Sequence, residues 1–289
     1  MSQKFRMLKD LSRPVMPALS RLLNSVRPLR EGLEFLSEGI DFVQGRSSGY
    51  GWNYRGEALA AARFLSGVDE PVIFDVGANY GQWAAAMTSV LGCRQHRMYL
   101  FEPQQACHEA LVERLSAGRV LIPVALGAES GTTTMYAASR GCSEASTYAP
   151  RRAGGRDLAT HRDIVTVTTV DQEVARLGLD RIDLMKIDVE GAELDVLRGA
   201  EAVLSTGRVT TLTFEFGCPN LESRVFFQDF WNLLEPIGYQ LWRICPGGVL
   251  FPIFEYQERL EHFSSVGNYI ASVRQPGPPL RPIPRMRQA

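Results

Sequence analysis

Val72-Ile73-Phe74-Asp75-Val76-Gly77-Ala78-Asn79-Tyr80-Gly81 decides the fold. Residues 72–76 are a short apolar, β-branched run between Pro71 and Gly77, which suits a parallel strand buried on both faces. Gln82, Trp83, three alanines and Met87 follow, mostly good helix formers. Strand, tight glycine turn and helix open a βαβ unit. In such a unit the helix N-terminus and bare backbone approach a ligand.

A dinucleotide fingerprint has glycine at three spaced positions. Here the spacing is Asp75-x-Gly77-x-Asn79-x-Gly81, with asparagine in the middle, a residue that tolerates left-handed backbone. A carboxylate at Asp75 repels a pyrophosphate and suits a cationic or zwitterionic ligand. S-adenosylmethionine has an α-amino group, a sulfonium and no phosphate. The loop therefore reads as a site for that cofactor, with Asp75, Gly77, Asn79 and Gly81 contributing. Glu102, closing the next strand 21 positions after Gly81, is placed to accept hydrogen bonds from ribose hydroxyls. Ribose recognition fits NAD equally, so a nicotinamide-dependent oxidoreductase is the competing reading. The plain structural alternative is an ordinary turn with a solvated Asp75.

Outward from this loop, residues 98–101, 120–124, 164–170, 184–188, 211–216, 239–244 and 266–273 read as strands. Residues 55–65, 105–115, 192–204 and 226–234 read as helices, and Asp171 as the cap of a short one. The alternation makes an α/β fold with an open, mostly parallel sheet and helices on both faces. Ligands sit beyond the carboxyl ends of such strands, so Asp75, Glu102, Asp188 and Glu215 are expected in one crevice. Residues 131–147, rich in Thr, Ser and Gly, are expected to hairpin or loop over that edge. The aromatic cluster at 50–54 is a candidate cover, and 151–162 reads as polar and mobile. Tyr50, Trp52, Tyr80, Trp83 and Tyr148 stand near the expected mouth, as ring-stacking groups or as packing. Three regions result: a basic, partly helical or disordered extension (1–44), a catalytic domain (45–273) and a disordered Pro/Arg-rich tail (274–289).

Leu184-Met185-Lys186-Ile187-Asp188-Val189-Glu190-Gly191-Ala192-Glu193 carries the second signal. Period-two alternation puts Lys186 and Asp188 on one strand face, and a buried lysine needs a carboxylate partner. The run resembles the Lys-Ile-Asp-Val-Glu-Gly-x-Glu signature of FkbM-type methyltransferases. Residues 74–81, Phe101-Glu102-Pro103 and Phe214-Glu215 are similar to that family's other blocks, in the same order, over roughly 72–216. The resemblance implies a Rossmann-like, class I S-adenosylmethionine-dependent methyltransferase. It also implies a seven-stranded sheet whose last, antiparallel strand is 266–273, and O-methylation of sugars, glycans or related metabolites. A hydroxyl acceptor needs its proton taken, and a nearby carboxylate serves as general base. Asp188 is the first candidate, with Lys186 beside it, Glu190 the second and His161 the third. A magnesium ion on Asp188 and Glu215 is the all-oxygen metal alternative. Turn-clamping by Asp188 and Glu190 against Lys186 is the structural alternative.

Bulk properties narrow the partners. The 289 residues carry a net charge of −1, with 45% hydrophobic and 22% charged content, ordinary globular values. Residues 1–30 hold Lys4, Arg6, Lys9, Arg13, Arg21, Arg27 and Arg30 against Asp10, a net +6. Residues 274–289 are +4, which leaves the body at −11. An acidic body argues against a nucleic-acid groove. The basic ends suit weak association with a membrane surface. They also suit a non-catalytic adaptor docked to a glycan assembly system. The five cysteines form no C-x-x-C pair, and no apolar run spans a bilayer, so a reducing cytoplasm is expected.

Overall fold

A computed structural model of the chain describes residues 15–49, 54–114, 118–149 and 159–279. The 50–53 part of the aromatic cluster and most of the 151–162 segment lie outside the described residues. Two helices lead, α1 (Met16–Ser25) and α2 (Arg27–Val43), followed by α3 (Tyr54–Ala62). Then come β1 (Val72–Val76), α4 (Gln82–Leu91), β2 (Arg97–Phe101), α5 (Gln105–Arg114) and β3 (Arg119–Ile122). Three strands follow, β4 (Ala125–Leu126), β5 (Gly131–Ala137) and β6 (His161–Thr168), then α6 (Val170–Arg176) and β7 (Leu184–Ile187). The remainder is α7 (Glu193–Arg198), α8 (Glu201–Ser205), β8 (Thr211–Gly217), α9 (Asn220–Ser223), α10 (Phe227–Leu234), β9 (Gln240–Cys245), β10 (Val249–Ile253) and β11 (Val266–Ser272).

The main sheet has eight strands in the order β10-β9-β11-β8-β7-β1-β2-β3. Strands β3, β2, β1, β7 and β8 are parallel, and β11 runs antiparallel between β8 and β9. The strand expected over 266–273 to run antiparallel is β11. The seven-strand expectation is corrected by β10, which adds an edge antiparallel to β9. Its Pro252 reads against a strand in sequence, yet an edge tolerates a residue that cannot donate. A second, three-stranded sheet, β4-β6-β5, stands beside the first.

All five residues of β1 are buried, because helices cover both faces of the sheet. Val72, Phe74 and Val76 face a cluster with Phe101, Phe214, Phe216, Phe230 and Tyr269. Ile73 faces the opposite cluster, with Ala58, Phe64, Trp83, Met87 and Trp242. Burying one Phe of this kind contributes roughly 1.5–3 kcal/mol.

Three local expectations change. The single helix over 192–204 is broken into α7 and α8 at Gly199, where a Cβ would stand 2.0 Å from the Gly127 carbonyl oxygen. Thr169, not Asp171, caps α6 through the Gln172 N–H. Asp171 caps α8 instead, accepting from the Ala202 and Val203 N–H groups. The tail is tied to the body through Gln275, which donates to Gln240, and through reciprocal bonds between Arg63 and Gly277. The rest of it, from 280 on, lies outside the described residues. No helix among the described residues is long and apolar enough to cross a membrane.

Candidate functional site

Strand parity gathers the polar residues. On β7, Met185 and Ile187 enter the phenylalanine-rich cluster, so Leu184 and Lys186 point to the other face. The same count puts Asp75 of β1, Glu215 of β8 and Asn268 of β11 on that face, towards α3. Asp75 lies opposite Lys186 in the register, and Asn268 opposite Glu215. Four neighbouring strands thus deliver polar groups to one side of the sheet near its carboxyl end.

Lys186 is the hub. Its buried Nζ lies 3.2 Å from Asp75 Oδ1, 3.2 Å from Asp188 Oδ2 and 2.9 Å from the Gly77 carbonyl oxygen. Burial alone would lower the pKa of this ammonium. The carboxylates of Asp188 and Asp75 outweigh it and hold the pKa above the ordinary lysine value. Asp75 is fully buried, so its carboxylate is directed at Lys186 and not at open space. That modifies the expectation of a direct ligand contact at Asp75: a lysine in the neighbouring strand takes the charge the sequence left unpaired.

The glycine loop closes on itself. Gly77 has φ +74°, and a Cβ there would stand 1.8 Å from the Asp188 carbonyl oxygen, so the two loops touch through bare backbone. Asn79 sits at φ +49° with its Oδ1 accepting from the Tyr80 N–H, and Gly81 at +77° precedes α4. The Gly77 and Ala78 N–H groups both donate to the Phe101 carbonyl, and the Gly81 N–H donates to that of Ala78. Glu102 is buried, with Oε2 accepting from the Asn79 N–H and Oε1 from the Gln104 N–H, both at 2.8 Å. Every backbone N–H from 77 to 81 is therefore occupied within the protein.

The turn after β7 divides its labour. Glu193, buried, accepts from the Val189 and Gly191 N–H groups and from Asn220 Nδ2. Asn220 in turn accepts from the Gly217 N–H at the end of β8. Glu193 is thus the turn clamp, the role that the structural alternative assigned to Asp188 and Glu190. Glu190 stands at φ +55°, half-buried, and its carboxyl has no hydrogen-bond donor among the described residues. Carboxylate oxygens of Asp188, Glu190 and Glu215 lie within 4.8 Å of one another. Burial, then the nearby Asp188, pushes Glu190 up to about 9 and Glu215 well above the carboxylate range.

Two residues of this site escape sequence reasoning. Glu57 of α3 is buried with Oε1 accepting from Asn268 Nδ2 at 2.8 Å. Burial, then Asp188, raises it to about 8. The available signal was a lone acid in the alanine-rich stretch Glu57-Ala58-Leu59-Ala60-Ala61-Ala62. The segment after β5 spans the crevice as expected. Tyr80 Oη donates to the Gly141 carbonyl, Gln104 to that of Cys142, and Ser146 Oγ to that of Glu190. Tyr148 bonds Asp195, and Trp83 is buried in the core. His161 opens β6 and pairs with Asp163 rather than with the acids of the crevice. A cavity of about 510 Å³ lined by Trp231, Trp242 and Gln275 lies elsewhere, by the amino ends of the parallel strands.

These residues fit S-adenosylmethionine better than a pyrophosphate ligand. The N–H groups of residues 77–81 are all taken, which leaves only the first turn of α4 for a phosphate, and one lysine stands against the carboxyl groups of residues 57, 75, 188, 190 and 215. Gly77, Asn79, Gly81 and Glu102 would line the adenosine side.

Residues 75–241, more than half of the chain, match the family model described as the methyltransferase FkbM domain. The methyltransferase sdnD of Sordaria araneosa is 31% identical over 163 residues, covering 45% of this chain and 61% of that protein. The chain thus spans about three-fifths of this curated relative. A crystal structure of methyltransferase FkbM from Methylobacillus flagellatus KT is 17% identical, with a TM-score of 0.46 over 73% of this chain and 47% of that one. Aeropyrum pernix fibrillarin, solved with S-adenosyl-L-methionine, is 15% identical, with a TM-score of 0.39 over 77% and 76%.

Proposed function

This chain belongs to the FkbM methyltransferase family, and from that premise we propose that it is an S-adenosylmethionine-dependent O-methyltransferase acting on a hydroxyl of a sugar, glycan or related metabolite. The observation that carries the reading is the division of labour after β7. Glu193 holds the turn, which frees Asp188 and Glu190 to face the crevice.

The cofactor, when bound, supplies a methyl group already activated on a sulfonium. The surplus of carboxylates suits that positive charge, and Glu102 suits the ribose hydroxyls. Asp188, charge-compensated by Lys186, would accept the proton of the acceptor hydroxyl. Glu190, pushed up to about 9, carries a proton at neutral pH and so donates a hydrogen bond rather than taking a proton. Lys186 also bonds the Gly77 carbonyl, so one side chain fixes the spacing between the cofactor loop and the base. Such positioning contributes up to about 7–11 kcal/mol in well-oriented reactions. The proximity of Asp188, Glu190 and Glu215 favours one second reading, a magnesium ion polarising the acceptor oxygen.

Calorimetric titration with S-adenosylmethionine and NAD, followed by transfer of labelled methyl to fractionated glycans and hydroxylated metabolites, tests the proposal. Asp188→Asn is expected to bind the cofactor and lose turnover. Binding of NAD in its place removes the ligand assignment, and full turnover by Asp188→Asn makes that residue structural. Activity that persists in chelator removes the magnesium version.

A further inference from the structure

At the foot of the edge strands, away from the crevice, the cavity of about 510 Å³ has the size of a small-ligand pocket. Trp231, Trp242, Phe254 and Pro252 give it apolar walls. Both indoles are held from behind. Trp242 meets Phe64 edge-on, with ring centroids 5.0 Å apart, and Trp231 packs against the phenylalanine-rich cluster. Phe254, 88% exposed, stands at the rim just after β10. Hydrogen-bonding groups complete the lining. Gln275 Nε2 donates to Gln240 Oε1 at 2.8 Å, which leaves the Gln240 amide N–H groups and the Gln275 carbonyl for a ligand. The Glu235 carboxylate has no donor among the described residues, and the indole N–H groups of Trp231 and Trp242 have no acceptor there.

We propose that this cavity is a second binding site, for a neutral saccharide. The lining disfavours the other ligand classes in turn. No described lysine or arginine lines it, so a phosphate or carboxylate finds no counter-charge. Glu235 is exposed, and water screens its pull on a cation. A purely apolar ligand needs enclosure on most sides, whereas Pro252, Phe254, Gln240 and Gln275 are all exposed. An extended peptide cannot pair continuously along β10, because Pro252 has no N–H to give. A pyranose suits what remains. Its C–H faces lie flat on aromatic rings, and its hydroxyls both donate and accept, which matches amides, indoles and a carboxylate together. Cavity and crevice lie towards opposite ends of the sheet, separated by roughly the length of β8, seven residues or about 23 Å. The site therefore holds a glycan at a point remote from the methyl donor. This inference does not rest on the methyl-transfer reading, and its readout is binding, not turnover.

The test is ligand-observed NMR and tryptophan fluorescence on the full-length protein, with cellobiose, maltose and mannobiose as probes. Sorbitol, a polyol without a ring, and benzyl alcohol, a ring without the hydroxyl set, are the controls. At least one disaccharide is expected to bind in the millimolar range, and neither control to match it. Saturating S-adenosylhomocysteine should leave that binding unchanged, since it belongs in the crevice. Phe254→Ala and Gln240→Ala, both at exposed positions, are expected to weaken it severalfold, and Trp231→Ala about tenfold or more, as loss of a stacking ring does. The melting temperature should hold in the two exposed variants, and affinity for S-adenosylmethionine in all three. Failure of all three disaccharides to bind overturns the proposal. So does binding that Phe254→Ala and Trp231→Ala leave intact, or that S-adenosylhomocysteine displaces, because the sugar then sits elsewhere. Sorbitol binding as well as the disaccharides removes the ring requirement and overturns it too, and tighter binding of benzyl alcohol assigns the cavity to an apolar ligand with the same result. A protein that binds these sugars but no S-adenosylmethionine counts against the methyl-transfer reading alone.

Discussion

Replacing Lys186 with Met probes the hub of the site. The methionine keeps the length of the side chain and removes its charge. Asp75 is then left fully buried, and its two oxygens find no other hydrogen-bond donor among the described residues. Stranding one member of a buried ion pair costs about 3–5 kcal/mol. Linkage gives a consistent figure. Burial raises the Asp75 pKa, and Lys186 is the first influence that pulls it back. Without the ammonium the folded state must hold Asp75 protonated. Against an ordinary value of about 3.9, that costs about 4 kcal/mol at pH 7 and about 1.5 kcal/mol at pH 5. A group with a raised folded pKa contributes stability below its unfolded pKa and loses it as pH rises through the folded one. The deficit of the variant must therefore grow from pH 5 to pH 7. At about 2–4 °C per kcal/mol, the melting temperature at pH 7 should fall by about 6–20 °C. Thermal unfolding followed by circular dichroism at both pH values reads this directly. Adding Asp75→Asn should restore most of the loss. A deficit below about 1 kcal/mol, one independent of pH, or one that Asp75→Asn leaves untouched would refute the hub.

Gly77→Ala should abolish folding or cofactor binding, because its Cβ would meet the Asp188 carbonyl; Gly92→Ala, also at positive φ but with open space around it, should cost about 1–2 kcal/mol in chemical denaturation. Glu57, raised to about 8 by burial and then Asp188, makes stability fall as pH rises from about 4.5 to about 8. Glu57→Gln should flatten that slope by up to about 1.4 kcal/mol per pH unit in melts taken across the window. Asp171→Ala should cost about 1 kcal/mol through loss of the α8 cap and leave cofactor affinity unchanged by calorimetry.

The parts of the fold written locally were readable in the chain. Residues 72–76 and 184–187 announce strands by composition, and period two alone puts Lys186 beside Asp188. What needed the structure depends on residues far apart. Glu57 meets Asn268 across 211 positions, and nothing near either residue signals the pair. Asp75 looked like a free carboxylate because its neutralising lysine lies on another strand, 111 residues on, brought opposite only by sheet register. The clamp at Glu193 was out of reach for a similar reason: it is identified by its bond to Asn220, beyond β8. The break at Gly199 follows from a crossing by the chain near Gly127, which helix periodicity does not report.

The eighth strand bears on how the molecule behaves in a crowd. A strand at the rim of a sheet is a template onto which another polypeptide can zip. In β10, Pro252 has no N–H to offer on either side, and the strand is only five residues long. An incoming segment would find its ladder interrupted near the middle, so this rim is blunted against runaway strand addition although Val249 and Phe251 are exposed there.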